Sequence, residues 1–278
     1  MSPDSRAPGL YDGIPMSEYL RIPGASNGLL RTLRDKSPMH ARYKMTHPDE
    51  PTEAMRIGGA THTAVLEPDE WERRYVRGVD LDLRTKAGKE AQAELEAGNP
   101  HAEILKPEAY DLALTLREVV LAHPRARRLV EGKAERTMIW DDPETGVRCR
   151  GRADLWSDVA PVIVDLKTTR DAAREAFQRD IYTFGYYLQA VHYLNAASAL
   201  GETRDHFVFI AIEKTPPYGV AVYDLDDDAL MAGAEELRSL LMRWKQCEES
   251  GEWPGYDTRV TPISIPTWAL RQVEGRTG

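Results

Sequence analysis

Hydrophobic residues recur at helical spacing through the first half of the chain. Ser26 is a suitable N-cap for a helix that runs through Leu29, Leu30 and Leu33. Further helices are predicted from Ser37 and over residues 53–66, 85–97 and 107–131, the last broken at Pro124. Residues 1–25 are punctuated by prolines and predict an irregular lead-in. Residues 1–130 are therefore expected to form a largely helical N-terminal region.

From Thr137 the pattern changes to alternation and β-branched runs. It predicts a meander of three strands, TMIWDD, VRCRGRADLWS and PVIVDLKTT. A helical region over residues 171–200 follows, and two more strands, HFVFIAIEK and GVAVYDL, precede an amphipathic helix. This order predicts an α/β fold in which a mixed central sheet is flanked by helices. We expect its core in residues 131–250 and an irregular, proline-interrupted tail over residues 251–278.

The composition is that of a folded protein with a substantial core. The chain has 278 residues, of which 42% are hydrophobic. It has no apolar run near the ~18 residues that a membrane span requires, and its N-terminus lacks the apolar stretch of a signal peptide. We therefore expect a soluble, cytoplasmic protein.

Cysteine content and charge narrow the chemistry. Cys149 and Cys247 are the only cysteines, so a thiolate cluster is excluded and any metal must be held mainly by oxygen and nitrogen. The formal net charge of −9 argues against indiscriminate coating of nucleic acid, although a local basic groove remains compatible with it. Two cationic groups are available for such a groove, with solvated helix faces as the alternative interpretation: Arg31, Arg34, Lys36, Arg42 and Lys44, and Arg125, Arg127, Arg128 and Lys133.

Candidate chemistry concentrates in the segment GRADLWSDVAPVIVDLKTT, residues 151–169. Strand alternation puts Asp165 and Lys167 on one face, and Asp154 lies beside them if the two strands are neighbours. An apolar strand tolerates charges in its middle only when they are paired or bound to metal. Two carboxylates suit Mg²⁺, and a nearby lysine can position the attacking water. The alternative is a surface ion pair between Asp165 and Lys167 on an edge strand.

The motif pair Asp154 and Asp165-Leu166-Lys167 resembles the signature of the PD-(D/E)xK nuclease superfamily. Within it the chain is most similar to the phage-type exonuclease VIII (RecE-like) branch, which is related to lambda exonuclease and to RecB-like nuclease domains. Aspartate stands where glutamate is more frequent. The resemblance extends over roughly residues 10 to 250 and implies a restriction-endonuclease-like core.

Three further matches follow in the order of that branch. His62, in GGATHTAVLEP, resembles a metal-adjacent histidine, although a lone helical histidine is more often a packing residue. Gln189 and Tyr193 match a Q-x-x-x-Y motif whose spacing puts both on one helix face. The resemblance implies that this pair faces DNA and the active site and belongs to the catalytic residues, and core and rim positions are the alternative. Glu135 stands where related enzymes carry a glutamate near the metal, with an exposed helix-end residue as the alternative.

The resemblance implies a metal-dependent DNA exonuclease. Asp154, Asp165 and the Leu166 carbonyl would hold Mg²⁺, for which Mn²⁺ is expected to substitute, with His62 and Glu135 beside it. Lys167 would orient the nucleophilic water. The implied activity is 5′ to 3′ digestion of linear double-stranded DNA in phage-type recombination or repair, by a ring-forming homo-oligomer that works with a single-strand annealing protein.

Three alternatives stay open at this point. The chain could be an endonuclease, a single-strand nuclease of the same superfamily, or a catalytically silent DNA-binding recombination scaffold. No glycine loop of the G-x-x-x-x-G-K type is present, so ATP hydrolysis is not expected.

Overall fold

The computed structural model describes residues 6–274. The strands are β1 (Gly9–Tyr11), β2 (Ala25–Ser26), β3 (Tyr75–Arg77), β4 (Glu103–Leu105), β5 (Gly132–Asp141), β6 (Arg148–Ser157), β7 (Val162–Thr169), β8 (His206–Glu213) and β9 (Val220–Asp224). The helices are α1 (Met16–Tyr19), α2 (Asn27–Asp35), α3 (Pro38–Thr46), α4 (Glu53–Leu66), α5 (Trp71–Arg74), α6 (Lys86–Gly98), α7 (Pro107–Ala122), α8 (Ala126–Leu129), α9 (Arg174–Thr183), α10 (Tyr186–Ala199), α11 (Asp227–Ser250) and α12 (Thr267–Glu274). Within this part of the chain, no helix is both long and apolar enough to cross a membrane.

Seven strands form one mixed sheet in the order β1-β5-β6-β7-β8-β9, and β2 pairs with β6 beside that path. Strands β7 and β8 are parallel, as are β2 and β6, and the other pairs are antiparallel. Strand β5 covers one edge of β6 along its whole length. Strands β2 and β7 therefore share the other edge, one at each end.

Helices cover both faces of the sheet. The alternation in β8 shows this, because Phe207 and Phe209 pack with α10 and α11 while Val208 and Ile210 pack with α4 and α7. The resulting layers are helix, sheet and helix, which confirms the predicted α/β class with a flanked mixed sheet. Helix α4 approaches β7 closely, since a Cβ added at Gly58 would lie 3.6 Å from the Thr168 hydroxyl oxygen. This approach brings His62 over the sheet.

Several elements differ from the sequence-based expectation. The lead-in contains β1 and β2, which are too short to show an alternating pattern and form only against distant strands. The helical region of residues 171–200 is two helices, because Gly185 turns the chain with a φ of 67°. The tail expected to be irregular contains α12 after its prolines.

Candidate active site

Three carboxylates lie in one row across three neighbouring strands. The pairs Ala134–Leu155 and Arg136–Ala153 bracket Glu135 and Asp154, and Asp165 directly follows the last β6–β7 pair, Leu155–Val164. Side chains directly opposite one another on adjacent strands lie within about 5 Å at Cβ. The meander therefore concentrates negative charge at one point of the sheet.

The strand ladder is interrupted at this row. Glu135 has a φ of 52°, in the left-handed region that non-glycine residues seldom adopt. In β6, Ala153 packs in the α10 layer and Leu155 in the α4 layer, although residues two apart normally share a face. The side-chain direction therefore changes at Asp154. Its Oδ2 atom accepts a hydrogen bond from the backbone N–H of Leu166 at 3.0 Å, where β6 and β7 separate.

His62 reaches this point from α4. Its Nδ1 atom lies 3.4 Å from Asp154 Oδ2, and its Nε2 atom lies 2.6 Å from the Leu166 carbonyl oxygen. Both ring nitrogens thus face oxygen atoms, and a neutral imidazole has only one N–H to donate. A site so rich in acceptors is suited to a cation.

The donor atoms of His62, Glu135 and Asp154 all lie within 4.8 Å of one another. One imidazole and two carboxylates are an appropriate donor set for a divalent cation, and the Leu166 carbonyl adds an oxygen beside them. The group therefore fits the metal that the sequence implies. Asp165 stands outside this close group.

The Asp165 carboxylate is instead turned towards α10. Lys167 Nζ lies 2.6 Å from Asp165 Oδ2 and donates to Gln189 Oε1 at 3.1 Å. Gln189 Nε2 donates to Asp165 Oδ1 at 2.6 Å. The three side chains form a closed ring of contacts, and Asp165 is only 1% exposed. Gln189 thus fixes the acid and the ammonium relative to each other.

Burial and mutual repulsion raise the pKa values of the two outer carboxylates. The pKa of Glu135 rises to about 7, first by burial and then by the charge of Asp154. The pKa of Asp165 rises to about 6 for the same two reasons, in spite of Lys167. Burial disfavours the charged form of Lys167, but Asp165 and Asp154 outweigh it, so the pKa is raised and the amine stays protonated.

Tyr193 lies below the site in the core. A Cβ added at Gly151 would come within 2.7 Å of its ring, and the ring packs edge-on against Phe207 at a centroid distance of 6.0 Å. Tyr193 is 6% exposed, and burial raises the pKa of its hydroxyl well above the usual value. The two residues of the Q-x-x-x-Y motif therefore differ in position, since Gln189 contacts charged groups and Tyr193 supports the floor.

Sequence reasoning did not single out two residues that contact the site. Arg152 Nε lies 2.8 Å from Glu135 Oε2, a contact that depends on the β5–β6 register and leaves no local signal. The second is Tyr186, because Lys167 Nζ lies over its ring in a cation–π contact, 4.7 Å from the centroid. It precedes Gln189 by three positions, so helical spacing could have found it.

A family described as "PDDEXK-like domain of unknown function (DUF3799)" matches residues 28–260 of the chain. The chain belongs to this PDDEXK-like family. The match includes every residue of the site, from His62 to Gln189. The chain is therefore a member of the PD-(D/E)xK nuclease superfamily.

A solved structure supports the same fold. The chain resembles a protein from Eubacterium rectale described as a "putative exonuclease", with a TM-score of 0.57 and 14% sequence identity, over 88% of this chain and 91% of that one. At this identity the likeness of the PDDEXK-like chain to that protein establishes the fold alone. No curated protein sequence matches the chain.

Proposed function

We propose that the chain is a Mg²⁺-dependent exodeoxyribonuclease that degrades linear double-stranded DNA from the 5′ end. The observation that carries this proposal is the placement of His62, Glu135 and Asp154 beside the Asp165–Lys167 pair. A group that could hold a cation thus adjoins a protonated amine. Family membership and the exonuclease-like fold support nuclease chemistry.

The residues divide into two roles. The cation would be held by His62, Glu135 and Asp154. The Leu166 carbonyl oxygen and the Asp165 carboxylate lie beside this group and would add negative charge around the cation. A divalent cation held there supplies Lewis-acid polarisation of the phosphodiester and lowers the pKa of a water molecule. Mn²⁺ is expected to substitute, since its ligand preferences are similar.

Lys167 would orient the attacking water and stabilise negative charge on the phosphate. Its raised pKa keeps it cationic, which suits electrostatic stabilisation better than proton abstraction. Gln189 is a positioning residue, because it contacts both Asp165 and Lys167. Tyr193 supports the floor, and residues 1–130 contribute His62 and the proposed wall of a DNA channel.

Degradation of end-labelled DNA tests the proposal. Linear duplex labelled at either 5′ or 3′ ends, closed circular duplex and single strands are incubated with Mg²⁺, Mn²⁺ or EDTA. We expect mononucleotides from the 5′ end of the linear duplex and no product in EDTA. Cleavage of closed circles would favour the endonuclease alternative, digestion of single strands alone the single-strand nuclease, and binding without cleavage the silent scaffold. Undiminished cleavage in EDTA would contradict the metal mechanism.

Assembly is a separate part of the proposal. The resemblance implies a ring of identical subunits and a single-strand annealing partner. Sedimentation of the purified chain with and without DNA tests the ring, and a monomer in both conditions would contradict it.

A further inference from the structure

An aromatic and cationic surface adjoins the active site at the turn between α9 and α10. Its two central side chains are Phe184 and Arg31. Phe184 is 41% exposed although it is a large hydrophobic residue. Its ring centroid lies 5.6 Å from that of Tyr186, and Lys167 Nζ lies over the Tyr186 ring. Two successive contacts thus connect an exposed ring to the ammonium at the centre of the site.

Arg31 supplies a positive charge at the same place. Its Nη1 atom donates to the Phe184 carbonyl at 3.3 Å. Within the described residues, 6–274, no carboxylate forms an ion pair with Arg31, so the rest of its guanidinium is available to a ligand. Free donors of this kind suit the bidentate recognition of a phosphate.

Arg34 has a different position in the same cluster. It is paired with Asp35 at 2.6 Å and donates to the Thr183 carbonyl at 3.4 Å. A Cβ at Gly185 would lie 2.8 Å from its Nη1 atom, so the turn closes directly on this guanidinium. Arg34 therefore stabilises the turn that contains Phe184. Arg31 retains N–H groups that can donate hydrogen bonds to a ligand.

We infer that Phe184 and Arg31 bind an unpaired nucleotide of the substrate strand next to the scissile phosphate. The inference rests on the proposed nuclease function and adds that the substrate strand is unpaired where it meets the site. In a duplex both faces of a base are covered by neighbouring bases, so an aromatic ring can stack on a base only where one neighbour is unstacked from it. The base would stack on Phe184, and Arg31 would bind the adjoining phosphate. The strand therefore enters the site unpaired, as a single strand or as the separated end of a duplex.

Tyr182, in the last turn of α9, is a matched control. Tyr182 is 74% exposed, more than Phe184. It stacks with Tyr187 at a centroid distance of 6.2 Å, and the Tyr187 hydroxyl donates to the carboxylate of Glu236. The Glu236 carboxylate would repel a phosphate at this position. An exposed arginine outside both cationic groups, Arg84, is the control for Arg31.

The test is a binding measurement in EDTA, where no hydrolysis is expected. The probe is a short 5′-phosphorylated single strand with fluorescein at its 3′ end, followed by anisotropy. Phe184→Ala should weaken binding about 10-fold, the scale of one base–aromatic stack, and Phe184→Trp should restore it. Tyr182→Ala should bind as the unmodified protein does. Arg31→Ala should lower the salt dependence of the affinity by about one phosphate contact, and Arg84→Ala should not.

An abasic nucleotide gives the decisive arm. The abasic nucleotide is placed at each position of the probe in turn. At one position it should weaken binding to the unmodified protein. At that same position it should not weaken binding to Phe184→Ala any further, because both changes remove the same stack. Independent effects, equal losses in Tyr182→Ala and Phe184→Ala, or no single-strand binding would each overturn the inference. The proposed function fails separately, if the unmodified protein cleaves no DNA with Mg²⁺ while the binding pattern holds.

Discussion

Asp154 accepts a hydrogen bond from the backbone amide of Leu166 at 3.0 Å, across the point where β6 separates from β7. One carboxylate oxygen thus replaces a missing ladder bond. The same oxygen lies 3.4 Å from His62 Nδ1. Asp154 therefore combines a structural contact with a place among the donor atoms of the site.

These two contributions are separable by substitution. Asp154→Asn keeps an acceptor for the Leu166 amide and removes the charge, so it should fold normally and lose Mn²⁺ binding. Asp154→Ala also leaves that amide without its partner, which should cost a further 1–3 kcal/mol or so of unfolding free energy. Urea denaturation in EDTA and calorimetric Mn²⁺ titration measure the two effects. Equal stability of the two variants would show that the hydrogen bond contributes nothing.

Glu135 should destabilise the metal-free protein at neutral pH. Its pKa is about 7 in the fold against an ordinary 4.5. Because the folded value is the higher one, the stabilisation is complete below pH 4.5 and is lost as pH rises to 7. In EDTA, the unfolding free energy of Glu135→Gln relative to the unmodified protein should therefore rise by roughly 2–3 kcal/mol across that interval.

Urea denaturation over a pH series checks this expectation, with Glu94→Gln, at an exposed position of α6, as the control. Saturating Mn²⁺ should reverse the order at pH 8, since the unmodified protein gains the binding free energy. A difference between Glu135→Gln and the unmodified protein that does not vary with pH would contradict the repulsion argument.

Substitution of Tyr193 tests whether this residue only packs beneath the site or also takes part in the reaction. Its hydroxyl lies against the backbone of Arg152, and the ring is buried. Tyr193→Phe should lose about 1 kcal/mol of unfolding free energy and keep its kcat. Tyr193→Ala should lose about 3–5 kcal/mol through the cavity it leaves. Denaturation and single-turnover cleavage are the measurements, and a large fall in rate for Tyr193→Phe would show that the hydroxyl takes part in the reaction.

The chemistry of β7 was accessible from sequence because it depends on local rules. Alternation puts Asp165 and Lys167 on one face, and a meander makes their strand a neighbour of the one that carries Asp154. The α/β class follows from the same order of elements. These features needed no knowledge of distant contacts.

The remaining features depend on long-range geometry. The alternation rule fails at Asp154, because the irregularity beside Glu135 changes the face to which β6 points. The pairing of Glu135 with Arg152 requires the β5–β6 register, which a one-residue slip would destroy. Arg31 and Phe184 meet across 153 positions of the chain, and neither has a local pattern that marks it.

The closed contact among Asp165, Lys167 and Gln189 predicts three different kinetic outcomes. Asp165→Asn should weaken Mn²⁺ binding and lower the rate, because it removes a charge beside the donor group. Lys167→Ala removes a cation, so Mn²⁺ affinity should hold or rise while the chemical step slows about 10²-fold or more. Gln189→Leu keeps both charges but frees them from their common partner, so it should slow the step less than Lys167→Ala and leave Mn²⁺ affinity nearly unchanged.

Calorimetric Mn²⁺ titration and single-turnover cleavage on the same preparations separate these outcomes. Lys89→Ala, at an exposed position of α6, controls for the loss of a positive charge elsewhere. Asp165 and Gln189 are buried, so urea denaturation in EDTA accompanies these measurements and the comparison uses only variants that remain folded. If Lys167→Ala loses Mn²⁺ as completely as Asp165→Asn, the ammonium holds the carboxylates together and does not serve the water. If Gln189→Leu matches Lys167→Ala in rate, the amide takes part in the reaction itself, because positioning alone leaves the lysine charge in place.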